Sequence, residues 1–152
     1  MTFREAKKED LPFIVKMLAD DELGMQREDF SIPLPEEYLL AFSEIGKDKN
    51  QELIVGEDDD GNIIATLQLS FLQYLTYKGG VRAQIEAVRI RKEFRSKGLG
   101  KEIFRWAIER AKERKAHLIQ LTTDKKRPDA LEFYKALGFQ NSHEGMKLYL
   151  AL

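Results

Sequence analysis

The spacing of apolar and polar residues along this 152-residue chain switches between helical and strand periods several times. Residues 2–6 read as a short strand. Leu11, Ile14, Val15 and Leu18 then fall at helical spacing, with Asp10 as a cap and Pro12 in the first turn, which predicts a helix over about residues 10–20. Residues 20–35 are acidic and turn-rich, with Gly24, Pro33 and Pro35, and Tyr38, Leu39, Phe42 and Ile45 predict a second helix over residues 36–45. The middle of the chain is β: residues 52–56 and 63–75 flank Asp58-Asp59-Asp60-Gly61-Asn62, a strong hairpin signal, and a second hairpin turns at Gly79-Gly80. The next strand runs to Ile90. Ile103, Phe104, Ala107, Ile108 and Ala111 form one face of a helix that opens at Lys101. Residues 117–122 have the composition of a fully buried strand, which makes strand, loop, helix and strand a right-handed parallel crossover. A helix over residues 128–137, stopped by Gly138, and a strand around residues 147–150 complete the chain. Without a linker-like composition shift or repeat, residues 1–152 read as one α/β (α+β) domain, a mixed sheet with helices on both faces.

Composition narrows the function classes. Lys and Arg number 25 against 26 Asp and Glu, so no overall field recruits nucleic acid or a membrane surface. The absence of cysteine excludes disulfides, a cysteine nucleophile and thiolate metal sites. The first residues lack an apolar signal core and no stretch has transmembrane length, so the expectation is a soluble, cytoplasmic protein.

The richest chemistry lies in Arg95-Ser96-Lys97-Gly98-Leu99-Gly100, between the strand ending at Ile90 and the helix opening at Lys101. A strand, a glycine-bearing turn and a helix start direct free backbone N–H groups and the positive end of a helix dipole at one small volume, an anion site suited to a pyrophosphate. Two familiar phosphate loops do not match. A Walker loop needs glycine where Arg95 stands and Ser or Thr where Glu102 stands, and the dinucleotide fingerprint needs a small residue where Ile103 stands. The remaining pattern, [Gln/Arg]-x-x-Gly-x-[Gly/Ala], resembles the coenzyme A loop of the GNAT superfamily of N-acetyltransferases.

A second stretch strengthens that resemblance. Ala130-Leu131-Glu132-Phe133-Tyr134, followed by Leu137-Gly138-Phe139, is similar to the GNAT motif that closes the cofactor site. The resemblance covers almost the whole chain and is most specific over residues 84–139. It implies the GNAT fold, with element order β-α-α-β-β-β-α-β-α-β and a mixed central sheet of six to seven strands. It also implies acetyl-CoA as co-substrate, held by Val88, Arg89 and Ile90 of the strand, by Arg95, Ser96, Lys97, Gly98, Leu99, Gly100 and Lys101 of the loop, and by Asp124, Arg127 and Tyr134 beyond. Asp124 and Arg127 stand where family members often carry asparagine, a departure from the pattern. Through the resemblance a backbone N–H near Val88 polarises the thioester carbonyl, a role worth roughly 3–4 kcal/mol where one such donor has been removed from other enzymes. Tyr134 matches the tyrosine whose hydroxyl lies near the coenzyme A sulfur, as acid toward the leaving thiolate. Taken alone, Tyr134 also fits a core aromatic with one polar end, on a stripe with Ala130, Leu131 and Leu137.

Because an alkylamine is mostly protonated at neutral pH, a base must take its proton before attack. Glu86 is the candidate: simple alternation puts it on one face with Val88 and Ile90, and Ala87 and Arg89 on the other. A solvated strand glutamate is the plain alternative. Asp20, Asp21, Glu22, Glu28 and Asp29 fall where such proteins border the acceptor site; they either attract a cationic amine or form a solvated loop. The basic run Arg89, Arg91, Lys92, Arg95, Lys97 and Lys101 has no interleaved aromatic except Phe94, and coenzyme A phosphates account for it without nucleic acid. Aligning Gly61 with a calcium-loop glycine puts Gly56 and Leu67 at ligand positions, and His117 and His143 lack partners at metal spacing, so no metal is expected.

The string Leu121-Thr122-Thr123-Asp124-Lys125-Lys126-Arg127, with Ser142-His143 later, is similar to the GNAT branch that contains aminoalkylphosphonate N-acetyltransferases. The expected activity is therefore acetyl transfer to a primary amine of a small molecule. A protein amine as acceptor, or a non-catalytic acyl-CoA-binding regulator associated with transcription, are the other readings. Phe71, Leu72, Tyr74 and Leu75 are either core or the interface of a homodimer.

Overall fold

The computed structural model describes residues 1–21 and 24–150. Its elements are β1 (Thr2–Glu5), α1 (Leu11–Leu18), α2 (Glu36–Lys47), β2 (Gln51–Glu57), β3 (Ile63–Gln73), a single turn α3 (Thr76–Gly79), β4 (Val81–Ile90), α4 (Leu99–Glu113), β5 (Ala116–Gln120) and α5 (Pro128–Ala136). One five-stranded sheet has the order β1-β2-β3-β4-β5. The first four strands pair antiparallel, and β4 pairs parallel with β5. Among the described residues no helix is long and apolar enough to cross a membrane.

The period of two in β3 explains why the sheet is covered on both sides. Ala65, Leu67, Leu69 and Phe71 point to one face and meet Ile103, Phe104, Ala107 and Ala111 of α4 in the main core. Full burial of a leucine or isoleucine is worth about 1.5–3 kcal/mol, so this face fastens α4 to the sheet. The Phe104 ring meets those of Phe133, Tyr134 and Phe139 edge-on, with centroids 5.7, 5.4 and 6.1 Å away. That cluster seats α5 beside α4. On the opposite face Leu11, Ile14 and Met17 of α1 pack with Val55 and Ile63, and Leu39 and Phe42 of α2 complete a second, smaller core.

Three expectations are corrected at the C-terminal side of the sheet and in the second hairpin. The sheet has five strands among the described residues, not six to seven, because residues 147–150 are not a strand. Met146, Leu148, Tyr149 and Leu150 are instead exposed. β5 is consequently an edge strand, and its residues are half-buried or exposed rather than fully buried, since β4 is its single strand neighbour. The hairpin between β3 and β4 is longer than a Gly-Gly turn: Leu75 and Thr76 carbonyls accept from Gly79 and Gly80 around α3. Of the four apolar residues there, Phe71 is core, and Leu72, Tyr74 and Leu75 are exposed.

A buried carboxylate ties β2 to α4. Glu52, with 5% of its side chain exposed, accepts from Arg110 Nε at 2.9 Å, Arg110 Nη2 at 2.8 Å and Arg114 Nη1 at 3.1 Å. Removing one partner of a buried pair leaves the other charge uncompensated, but both arginines reach solvent, which reduces the loss. Glu52→Ala is expected to lower stability by about 2–4 kcal/mol in urea unfolding with an unchanged slope. A loss below about 0.5 kcal/mol would mean that the pair contributes only what a surface ion pair does.

Candidate active site

The site begins where β4 loses its parallel neighbour. Pairing with β5 runs from Val81↔Ala116 to Gln84↔Gln120 and stops, whereas β4 continues to Ile90 against β3 alone. Past Gln84 one edge of β4 is therefore open, with backbone groups free of a strand partner on that side among the described residues. In the same segment β4 carries a bulge: Gln68↔Glu86 is followed by Thr66↔Arg89, three steps on β4 against two on β3. Ala87 adopts a left-handed φ of 53° there, a strained conformation for a residue with a Cβ.

The bulge overturns the face assignment from simple alternation. Val88 and Ile90 pack with the α4 core. Glu86 pairs with Gln68 and accepts from Gln84 Nε2 at 2.8 Å, on the α1–α2 face. Arg89, opposite Thr66, shares that second face. Ala87 also lies there, beside Thr66, Gln68 and Tyr38 in a largely apolar cavity of about 100 Å³ that α1 and α2 close. One inserted residue thus reverses the parity of everything after it.

Between β4 and α4 the chain makes a short 3₁₀ turn (Lys92–Phe94) and then a loop in which Ser96 and Gly98 have φ of 62° and 81°. Among the described residues the N–H groups of Ser96, Lys97, Gly98, Leu99 and Gly100 have no backbone acceptor, and pairing resumes with Lys101 N–H to the Gly98 carbonyl at 3.0 Å. Free N–H groups at a helix start, next to left-handed residues, form an anion cradle. Nothing lies within 4 Å of where a Gly98 Cβ would stand, whereas a Gly100 Cβ would come 3.3 Å from Phe133. Gly98 thus serves the backbone conformation, and Gly100 lets α4 approach α5. Arg95 folds over the loop, donating from Nε to the Ile90 carbonyl at 2.9 Å and from Nη2 to Asp20 at 2.9 Å. Ser96, Lys97 and Lys101 are exposed, and Leu99 is half-buried.

Tyr134 is half-buried beside Phe104, Phe133 and Phe139. Burial pushes its phenol above the ordinary tyrosine value, while Arg127 and Arg89 pull in the opposite direction. Arg127 donates from Nη2 to Asp21 at 2.6 Å, and Arg89 Nη2 lies 3.6 Å from the same oxygen. Asp21 also accepts the Gly24 N–H at 2.6 Å. Desolvation works against its ionised form, but these hydrogen bonds and the two arginines hold its carboxyl below the usual range. Asp124 is used locally: its Oδ1 accepts the Lys126 N–H at 2.8 Å, shaping the turn into α5.

Tyr134 thus lies on the α4 side of the sheet and Glu86 on the α1–α2 side. The acidic segment was expected as an attractor of cations or a solvated loop; its described residues are mostly exposed, with Asp20 paired to Arg95, Asp21 to Arg127 and Arg89, and Glu28 accepting from the Tyr38 hydroxyl at 3.0 Å. Glu22 lies outside the described residues. Sequence reasoning missed Tyr38 and the Asp20–Asp21 pairings. An excess of acid at residues 20–29 against a basic run at 89–101 was the available signal. Among the described residues no three His, Cys, Asp or Glu side chains cluster as metal ligands.

Residues 18–139 match the family model described as Acetyltransferase (GNAT) family. A crystal structure of a transcriptional regulator from Bacillus halodurans C-125 is 56% identical, covers 98% of this chain and 99% of its own, and superposes with a TM-score of 0.94. The aminoalkylphosphonate N-acetyltransferase of Salmonella typhimurium is 27% identical over 84 residues, 55% of this chain and 54% of that protein. An uncharacterized N-acetyltransferase of Methanocaldococcus jannaschii is 36% identical over 58 residues, 38% of this chain and 26% of that protein. The chain thus matches about half and about a quarter of the lengths of these two curated relatives.

The loop conformation is open to a direct check. At Gly98, where φ is left-handed, a β-branched side chain finds space but not an allowed backbone. Gly98→Val is expected to cost about 1–2 kcal/mol in thermal or urea unfolding. An unchanged stability would mean that the loop relaxes to another conformation at no cost.

Proposed function

The chain belongs to the acetyltransferase (GNAT) family, and on that premise we propose that it transfers an acetyl group from acetyl-CoA to a primary amine of a small molecule. The observation that carries this reading is the cradle of unpaired N–H groups from Ser96 to Gly100 at the mouth of the opening beside β4. Its chemistry fits a pyrophosphate. When bound, acetyl-CoA supplies an acetyl group activated as a thioester. The loop, with Arg95 and Lys97, holds phosphate oxygens, and the free edge of Val88 to Ile90 offers backbone donors and acceptors to an extended arm.

Tyr134 and Glu86 divide the proton chemistry. Glu86 accepts a proton from the amine, directly or through water, on the α1–α2 face. Tyr134 donates its phenolic proton on the other face, and burial, by raising its pKa, keeps that proton in place at neutral pH. The small-molecule acceptor draws support from the aminoalkylphosphonate N-acetyltransferase, whose name gives a small amine as its substrate. A non-catalytic acyl-CoA-binding regulator is the second reading, favoured by the 56% identical Bacillus halodurans protein, which is named a transcriptional regulator.

Calorimetric titration with acetyl-CoA, with Gly98→Glu as control, tests the first step: binding lost in the variant supports the cradle, and no binding at millimolar cofactor removes both readings. Thiol release on adding amines then separates an enzyme from a regulator. Tyr134→Phe should lower kcat by about 10²–10⁴-fold with little change in cofactor affinity. An unchanged rate would remove the acid role. The alkaline limb of the wild-type rate should lie above the ordinary tyrosine pKa, because a raised pKa keeps the acid protonated longer as pH rises. That limb should disappear in Tyr134→Phe.

A further inference from the structure

Arg89 is a largely buried cation with an unsatisfied donor. Only 15% of its side chain is exposed, yet its Nε is buried without a hydrogen-bond acceptor. Its Nη1 donates to the Val88 carbonyl at 2.9 Å, and among the described residues its carboxylate contact is Asp21, 3.6 Å from Nη2. That same oxygen already receives Arg127 at 2.6 Å. Among the described residues two guanidiniums thus share the Asp21 carboxylate.

This chain treats its structural arginines differently. Arg110 meets Glu52 with two parallel hydrogen bonds of 2.9 and 2.8 Å, and Arg4 is matched by both Asp10 and Glu57. Arg82 also has a buried, unpaired Nε, but its guanidinium lies over the Tyr74 ring at 4.5 Å, which accounts for its placement. Arg89 has neither arrangement. Burying a guanidinium with open donors is costly unless an anion completes it, and pairs of carboxylate or phosphate-type oxygens match its fork.

Position decides which anion. Arg89 projects on the α1–α2 face with Glu86 and Ala87, the face opposite α4 and the core that holds Val88 and Ile90. The phosphate cradle at the start of α4 has Arg95 as its own arginine. Arg127 reaches the cluster from the start of α5, close enough for both arginines to act on Tyr134. We propose that Arg89 and Arg127 form a subsite for an anionic group (a carboxylate, phosphonate or phosphate) carried by the amine that is acetylated. The inference rests on reading the β4 opening as the transfer site. On binding, the anion takes the open Nε of Arg89 and loosens the long Asp21 contact, and Glu86 on the same face is left to the ammonium end.

The test is a two-step titration of the full chain. Coenzyme A is first bound to saturation, so that the cofactor's own phosphate sites are filled, and methylphosphonate is then added. Failure of coenzyme A to bind would overturn the transferase reading and this subsite with it. Once it binds, the subsite is tested alone. Wild type should bind methylphosphonate, Arg89→Gln should weaken this about tenfold or more, and Asp21→Asn, which frees both arginines, should strengthen it several-fold. The opposite signs keep the result independent of whether one variant folds poorly. No methylphosphonate binding to the coenzyme A complex, or binding only when coenzyme A is absent, would overturn the proposal and return the arginines to the cofactor. Acetylation rates supply the second readout. 2-Aminoethylphosphonate or β-alanine should exceed ethanolamine in kcat/KM, and Arg89→Gln should erase that preference. Equal rates for charged and neutral amines would also overturn it.

Discussion

A single extra residue in β4 governs the organisation of the site. The ladder between β3 and β4 passes from Gln68↔Glu86 to Thr66↔Arg89, and Ala87 absorbs the mismatch in a left-handed conformation. Bulges twist and bend the strand that carries them. This one falls where β4 has just parted from β5. Unpaired backbone, a reversed side-chain parity and a local bend therefore coincide over residues 86–90. Val88 and Ile90 anchor the bent strand to the α4 core, while Glu86, Ala87 and Arg89 turn to the other side. Without the insertion all of the later side chains would exchange faces, and Arg89 would enter an apolar core.

The rest of the molecule holds that strand and its two flanks in register. The contact of Gly100 with Phe133 and the rings around Phe104 make the loop, α4 and α5 one packed unit, so the N–H cradle and Tyr134 are positioned by the same core. On the other flank the chain after α1 is fastened by charge. Asp20 takes Arg95 from the loop, and Asp21 takes Arg127 from the start of α5 with Arg89 nearby. These ion pairs connect the segment after α1 to the loop before α4 and to the start of α5.

The elements that form from local period and local chemistry were legible in the chain alone. Leu11, Ile14, Val15 and Leu18 mark α1, the alternation through Ala65, Leu67, Leu69 and Phe71 marks β3, and the glycine-bearing turn before α4 announces the run of N–H groups without backbone acceptors at that helix start. Each of these depends on neighbours within a few residues, which a linear reading contains. Tyr134 was equally visible as an aromatic on the inner stripe of α5, and it packs half-buried against the main core.

Tertiary structure alone decided three matters. The parity of β4 could not be read past Ala87, because a period of two carries information only until a residue is inserted, and alanine bears no mark of a left-handed bulge. The state of β5 was misjudged because an apolar strand composition does not say whether a neighbour is present; with residues 147–150 unpaired, β5 is an edge. The partners of Asp20 and Asp21 lie some seventy to a hundred positions along the chain, at Arg95 and Arg127. Charge balance foretold that acid and base would meet, but only the folded sheet, by bringing the end of α1 against β4 and the start of α5, selects which carboxylate meets which guanidinium.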